Sequence, residues 1–259
     1  MVLYNKIGKN YAQTRRSDPR IVTQLIEILS FSHSSIIADI GAGTGSYSLA
    51  LVENGYQVIA VEPSNQMRNQ AIPHPKIDWI EGYAEKLPLP DDSVDTAIMM
   101  LALHHFQNYQ QGLCEAYRVT AGKQIILFTC DPAIISEFWL TKYFPSFIQD
   151  IKSTFLPISE LTAEIQTITN NPVDIIPFPL PNDLSDSFAA VGWRRPELYL
   201  NHQIRNGISS FAKLNLDEIN LGLSRLQEDL DTGVWDREYG QLRQQNQYDV
   251  GYRFIHSTK

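Results

Sequence analysis

Residues 38–45 read Ala38-Asp39-Ile40-Gly41-Ala42-Gly43-Thr44-Gly45. The octet follows the short apolar run Ile36-Ile37 and opens a segment patterned as a helix. Asp39, Gly41, Gly43 and Gly45 therefore fall on a strand-to-helix turn. Glycine there reaches positive φ without a Cβ clash and lets a ligand lie against bare backbone. Such a turn at the carboxyl edge of a parallel sheet suits an adenosine-containing cofactor. A glycine-rich turn alone also serves other nucleotides or tight packing, so the segments downstream decide.

Tyr56–Glu62 is a second apolar run, and it ends in an acid at the tip of an expected strand. A carboxylate there accepts both ribose hydroxyls of an adenosine held by the preceding loop. Pro63 holds Glu62 extended. After the apolar Ile77–Ile80 comes Gly82-Tyr83-Ala84-Glu85. Glu85 is placed to accept from an adenine amino group, the N–H of Ala84 to meet a ring nitrogen, and Tyr83 or Ala84 to flank the ring. Asp95 through His105 is a further strand that runs out into Leu-Ala-Leu-His-His.

These four pieces, in this order, resemble the class I methyltransferases that use S-adenosylmethionine. The likeness is to the small-molecule methyltransferases of type 11, similar to the ubiquinone-biosynthesis methyltransferases, and covers about residues 4–130. A dinucleotide dehydrogenase wants G-x-G-x-x-G. Here the third glycine comes one position earlier, at Gly45, and residue 46 is Ser. The resemblance implies a Rossmann-like, doubly wound α/β sheet of seven strands, the last antiparallel, with S-adenosyl-L-methionine as cofactor. It implies a cofactor site built on Asp39, Gly41, Ala42, Gly43 and Gly45, with Asp39 helping to hold the methionine end. Glu62, Pro63, Tyr83, Ala84, Glu85 and the backbone of Leu101 complete it.

Composition sets the outer limits. The 259 residues suffice for one core, or a core with an appended lid. Hydrophobic residues make up 43% and charged ones 19%, as in a globular chain. A net charge of −8 argues against a dedicated nucleic-acid binder. Cys114 and Cys130 are the two cysteines and form no metal-spaced cluster, so no metal site and no disulfide framework are expected. The first ten residues carry no signal-peptide pattern, and no apolar run reaches the roughly 20 residues of a membrane span. A cytoplasmic protein without nucleic-acid or membrane partners is the expectation, as a monomer or a homodimer.

Asp18-Pro19 marks a helix start, and Ile21, Val22, Leu25, Ile28 and Leu29 share one face, which predicts a helix over 19–29. Strands are expected at 35–40, 56–62, 77–80, 94–101 and 124–129, and helices at 45–54, 64–71 and 109–119. Alternation at this spacing means a parallel sheet. A sixth strand is assigned to 173–178 and a seventh to 248–256, with 184–231 mainly helical. The cofactor-binding core is thus residues 1–131, completed by strands near 172–179 and 248–259. Residues 132–171 and 180–247 form a helical lid, which in this family covers the substrate.

Several residues admit two readings. His104 and His105 close the fourth strand, where an imidazole serves as general base or orients a substrate hydroxyl. Alternatively a histidine there bonds backbone and lines the methionine pocket. Met67 packs on adenine or ribose, or belongs to the core. Tyr4, Tyr11, Arg15 and Arg16 sit where the family's N-terminal arm folds over the cofactor. Tyr11 then closes the pocket and an Arg pairs with the methionine carboxylate, or the arginines are a solvated basic arm. Phe138, Trp139, Tyr143, Phe144 and Phe147 have helical spacing: mostly lid core, with one or two rings facing an apolar substrate. Trp193-Arg194-Arg195-Pro196 is a surface turn or a carboxylate site.

The expected function is methyl transfer from S-adenosylmethionine to an O, N or C atom of a small molecule, a secondary metabolite or quinone-like acceptor. The alternatives are a non-catalytic S-adenosylmethionine-binding module and a NAD-dependent oxidoreductase on the same fold.

Overall fold

The structure is a computed structural model that describes residues 15–29, 32 and 34–259. A first helix, α1 (Pro19–Ile28), starts where expected: Asp18 accepts the Arg20 N–H at 3.0 Å and Pro19 occupies the first turn. The core then alternates β1 (Ile36–Ile40), α2 (Ser46–Glu53), β2 (Gln57–Val61), α3 (Asn65–Arg68), β3 (Ile77–Ile80), β4 (Thr96–Met100), α4 (Tyr109–Thr120) and β5 (Gln124–Cys130). Ser64 accepts the Met67 N–H and caps α3, which ends at Arg68 rather than Ala71.

After β5 come α5 (Pro132–Ile135), α6 (Ser146–Thr154), α7 (Ile158–Thr169) and β6 (Val173–Pro177). Then follow β7 (Leu180–Pro181), α8 (His202–Asn206), α9 (Leu216–Asp231), α10 (Val234–Tyr239), β8 (Gln247–Tyr248) and β9 (Tyr252–Thr258). One seven-stranded sheet has the order β3-β2-β1-β4-β5-β9-β6. Its last strand, β9, runs antiparallel to both neighbours, and the remaining pairs are parallel. This is the Rossmann-like methyltransferase fold.

Register puts the site together. Ile40 of β1 faces Val61 of β2, and Asp39 faces Ile98 of β4. The chain therefore leaves three adjacent strands near Gly41, Glu62 and Leu101, at one edge of the sheet.

All seven residues of β5 are buried, as in a sheet covered on both faces. Ile126 and Phe128 pack with Leu25 of α1 and Leu51 of α2, whereas Ile125 and Leu127 pack with Leu113 of α4 and Leu161 of α7. The α7 helix thus lies on the sheet. Residues 138–147 and 193–235 build onto the first face through aromatic rings: Trp139 meets Tyr199 at 5.6 Å and Trp235 at 5.4 Å, edge-on. The Trp139 indole N–H donates to the Trp193 carbonyl at 2.9 Å.

One expectation needs correction. The seventh strand is not continuous over 248–256. Gly251 stands at φ +100°, where a Cβ would lie 3.0 Å from Ile134 Cβ, and this turn separates β8, paired with β7, from β9. The stretch 184–231 is helical over most of its length, in short 3-10 and α pieces before one long helix. Regular α-helix is confined to α8 and α9, because Gly192 admits the Tyr199 ring where a Cβ would sit 2.5 Å from it and Pro196 opens only a 3-10 turn.

Candidate functional site

Two cavities open along the carboxyl edge of the sheet. The first is floored by Gly41–Thr44 and rimmed by Glu62, Pro63 and Met67 on one side and by Tyr83, Ala84 and Glu85 on another. Leu101, Ala102 and His105 close its end. The second holds about 790 Å³ of space between protein atoms, its open mouth included. Phe138, Phe147, Phe155, Phe188, Ile208 and Tyr252 give it mostly apolar walls. Arg15, Leu101 and His105 line both cavities.

The glycine loop needs its glycines. Gly41, Gly43 and Gly45 have φ of +75°, +60° and +74°. A Cβ on Gly41 would come within 2.8 Å of Ala102 Cβ, and one on Gly45 within 2.5 Å of the Trp79 ring. The Gly41 and Ala42 N–H groups donate to the Val61 carbonyl at 2.8 and 3.2 Å, which draws the loop over β2.

Glu62 is buried at 6% exposure and accepts the Gly43 N–H at 3.0 Å and the Ser64 N–H at 2.8 Å, one on each oxygen. Each oxygen keeps a lone pair. Burial pushes the Glu62 carboxyl above its ordinary range, against the pull of those two N–H donors and of Arg68. Asp39 lies under the loop and does not line the cavity. Its Oδ2 accepts the Ser48 hydroxyl of α2 at 2.6 Å, and burial, opposed by that bond and reinforced by Glu62, raises its pKa to about 7. Asp39 joins β1 to α2.

Glu85 lines the first cavity, yet its Oε1 accepts the N–H groups of Gln107 and Asn108 at 2.6 and 3.1 Å. It holds the turn ahead of α4. Tyr83 is exposed beside it and Ala84 is buried. Met67 is buried, with its methyl 3.4 Å from where a Gly43 Cβ would stand. Leu101 has φ +53°, a left-handed backbone at a bulky residue, held by its N–H on the Phe128 carbonyl at 2.8 Å. Such strain collects at ligand sites.

His104 and His105 form a 3-10 turn with Leu103, their rings 3.9 Å apart. His105 faces both cavities and His104 only the second, where its ring lies 4.5 Å from Phe155. His105 is exposed to solvent through the cavity, while protein crowds the far side of its ring. Burial on that side, with Lys213 and Arg15 nearby and only Asp150 opposing, lowers its pKa to about 4. Burial and the neighbouring His105 take His104 well below its ordinary range. These surroundings disfavour the imidazolium form of both rings.

Sequence reasoning missed Asp186 and Tyr47. Asp186 lies in the loop after β7 and is 1% exposed. It accepts from Arg15 Nε at 2.5 Å and from the Tyr47 hydroxyl at 3.3 Å, and all three line the first cavity. Burial raises the Asp186 pKa, with Arg15 and Tyr47 opposing. Arg15 thus meets a protein carboxylate rather than standing in solvent. No local pattern signals an acid at 186.

Tyr4 and Tyr11 lie outside the described residues. Trp193–Pro196 lines neither cavity: Arg194 donates to the Gln245 carbonyl at 2.8 Å and Arg195 to that of Leu184 at 3.4 Å. Of the aromatic group at 138–147, Phe138 and Phe147 face the second cavity, while Trp139, Tyr143 and Phe144 are core. Among the described residues no three His, Cys, Asp or Glu side chains gather as a metal group, and no helix is long and apolar enough to cross a membrane.

Glycines that leave room above the turn and a buried acid with spare acceptor capacity fit an adenosine moiety. The small-walled cavity running on toward Leu101 leaves room for its methionine end. Comparison with known proteins agrees. Residues 38–128 match the methyltransferase domain family. A solved structure from Anabaena variabilis, a candidate methyltransferase from an antibiotic biosynthesis pathway, is 48% identical over 95% of this chain and all of its own, with a TM-score of 0.91. The ubiquinone/menaquinone biosynthesis C-methyltransferase UbiE of Rubrivivax gelatinosus is 32% identical over 115 residues, 43% of this chain and 44% of that protein. The chain spans about half the length of the curated relatives it matches. The fold is shared with a Haemonchus contortus phosphoethanolamine N-methyltransferase in complex with S-adenosyl-L-methionine, at 13% identity and a TM-score of 0.60 over 99% of this chain and 56% of that one. A sheet with its last strand reversed, a glycine turn beneath an acid-rimmed cavity and near-complete overlap with a 48% identical relative establish that this chain belongs to the S-adenosylmethionine-dependent methyltransferases.

Proposed function

We propose that this chain methylates a small molecule seated in the second cavity. The observation that carries this is the wall of Arg15, Leu101 and His105 shared by the two cavities, because a methyl group must pass between donor and acceptor there. The cofactor supplies an electrophilic methyl on a sulfonium. The Gly41–Gly45 loop and Glu62 hold its adenosine, Glu62 through the ribose hydroxyls, and Met67, Tyr83 and Ala84 bracket the adenine. Leu101 and Arg15 stand at the methionine end. Of the residues assigned to the lid, those in 132–155 and 182–213 wall the second cavity, and that largely apolar lining favours alignment of the acceptor and exclusion of water.

A secondary metabolite or quinone-like acceptor suits the predominantly aromatic and aliphatic lining. The names of the Anabaena and Rubrivivax proteins, one from an antibiotic pathway and one from quinone biosynthesis, support that class. Calorimetric titration with S-adenosylmethionine, repeated on Glu62→Ala, tests the cofactor half. Micromolar binding that falls at least about tenfold in the variant is expected, as loss of a charged hydrogen-bond acceptor implies. Equal binding by both proteins would remove Glu62 from the site.

A further inference from the structure

We propose that the acceptor is a neutral, largely apolar molecule methylated on a hydroxyl oxygen, and that His105 takes the hydroxyl proton. The proposal rests on the cavity assignment above and adds the acceptor's charge, the reacting atom and the base.

The charge follows from pairing. Arg15, Asp150 and Lys213 are the charged side chains that line the second cavity among the described residues. Arg15 is bound to Asp186 at 2.5 Å. Lys213 reaches Asp150 at 2.6 Å and the Thr154 hydroxyl at 3.2 Å, tying α6 to the turn before α9. The lining carries its charges in opposed pairs, and the rest of the wall is mainly aromatic and aliphatic. A carboxylate or ammonium acceptor would have to displace one partner of a pair or go without one, a large cost in such surroundings. N-methylation of a tertiary amine would also leave a permanent cation there. Methylation of a hydroxyl leaves a neutral ether.

The base follows from position. Cys130 and Tyr252 also line the second cavity, and burial raises the pKa of each, so both keep their protons at pH 7. His104 faces the second cavity only, and its buried Nδ1 has no hydrogen-bond partner among the described residues. His105 alone of the two imidazoles stands on the wall that the methyl crosses. A hydroxyl that gives its proton to His105 therefore also faces the methyl. The hydroxyl oxygen forms the new bond to the methyl carbon as the carbon–sulfur bond breaks with its electron pair left on sulfur. The hydroxyl proton passes to the neutral imidazole and from there to solvent. The groups around His105 are the His104 ring at 3.9 Å, Lys213 and Arg15, the last two disfavouring its protonated form, and Asp150, which favours it. A weakly basic ring releases its proton readily after each turnover.

The test uses the full chain. S-Adenosylmethionine binding is measured first, by calorimetry. The protein saturated with S-adenosylhomocysteine is then titrated at pH 7.5 with one-, two- and three-ring phenols and with their aminomethyl and carboxylate counterparts. Each is next offered with methyl-labelled S-adenosylmethionine and the labelled atom is identified by NMR. Phenols of at least one size are expected to bind about tenfold or more tighter than their charged counterparts, with the label on oxygen. His105→Gln should lose about a hundredfold in kcat, as removal of a general base does, and lose much less with phenols already ionised at the assay pH. Charged counterparts binding as well as the phenols, no phenol binding, label on nitrogen or carbon, or an equal loss for ionised phenols would overturn the acceptor assignment. Failure of S-adenosylmethionine itself to bind would instead overturn the cavity reading beneath it.

Discussion

Arg15 and Asp186, 171 positions apart, meet at 2.5 Å at the boundary of the two cavities. Arg15 precedes α1 and Asp186 follows β7, and Tyr47 of α2 also donates to Asp186, so the pair ties both flanks of the chain to the glycine-loop half. Breaking a buried pair strands a charge and costs about 3–5 kcal/mol. Asp186→Ala should destabilise the protein by that order in urea unfolding. Asp186→Asn, which still accepts from Tyr47, should cost less. Equal stability of the Ala variant and wild type would mean the pair contributes nothing.

The three loop glycines should not respond alike. All have positive φ, which costs an L-residue about 1–2 kcal/mol. Gly43→Ala adds only contact with the flexible Met67 methyl at 3.4 Å, whereas Gly45→Ala drives a Cβ to 2.5 Å from the Trp79 ring. Gly45→Ala should therefore lower the thermal midpoint further than Gly43→Ala. The reverse order in parallel calorimetric scans would contradict the packing described.

Asp39 and Asp18 should bend the pH–stability curve in opposite directions. The folded pKa of Asp39 is raised to about 7, so its contribution is fully present below the usual carboxylate range and is lost as pH rises from 4 to 7. Asp39→Asn should gain on wild type between pH 5 and pH 8, by on the order of 1–3 kcal/mol. A gap that shrinks over this interval would refute the burial argument.

For Asp18, burial works upward, but hydrogen bonds from Arg20 and from the Ser185 and Arg20 N–H groups outweigh it and leave the pKa at about 2. The carboxylate holds α1 to the loop carrying Asp186, since Ser185 N–H donates to it at 2.9 Å. Its contribution, about 2 kcal/mol, is present above pH 4 and lost as pH falls from 4 to 2. Asp18→Asn should be destabilised at pH 7 and converge on wild type near pH 2; no convergence would point to packing instead.

Lys213 offers a check on the imidazole environment. It is the leading charge that lowers the His105 pKa, after burial. Lys213→Met removes that charge and leaves Asp150, whose influence is upward. The His105 ring resonances, followed by NMR, should titrate at higher pH in the variant. An unchanged or lower midpoint would show that Lys213 does not reach His105.

The legible parts of this molecule were local ones. The glycine turn, the acid closing β2 and the helix caps at Asp18 and Ser64 are set by residues within a few positions, where steric and capping rules act directly. The sheet class followed from strand–helix alternation. Asp186 and Tyr47 were not legible, because the partner that makes Asp186 part of the site is brought to it only by tertiary packing. Glu85 lines the cavity, and its bonds to the 107–108 backbone depend on where a separate loop arrives. Gly251 sits in a stretch with clean alternation, and nothing in Val250, Tyr252 and Phe254 betrays that Asp131 and Ile134 crowd the backbone there.

The position of β9 bears on how the protein is made. Between β5 and β6, the interior of the sheet is filled by residues 252–258. While the chain is still being synthesised, β5, buried along its full length in the finished protein, is an open apolar edge. It stays unpaired on that side until β9, made after both β5 and β6, takes its place between them. Long-range strand pairing of this kind is slow and exposed to aggregation. A chain without residues 252–258 would leave β5 and β6 without the strand that joins them, with the apolar edge of β5 exposed.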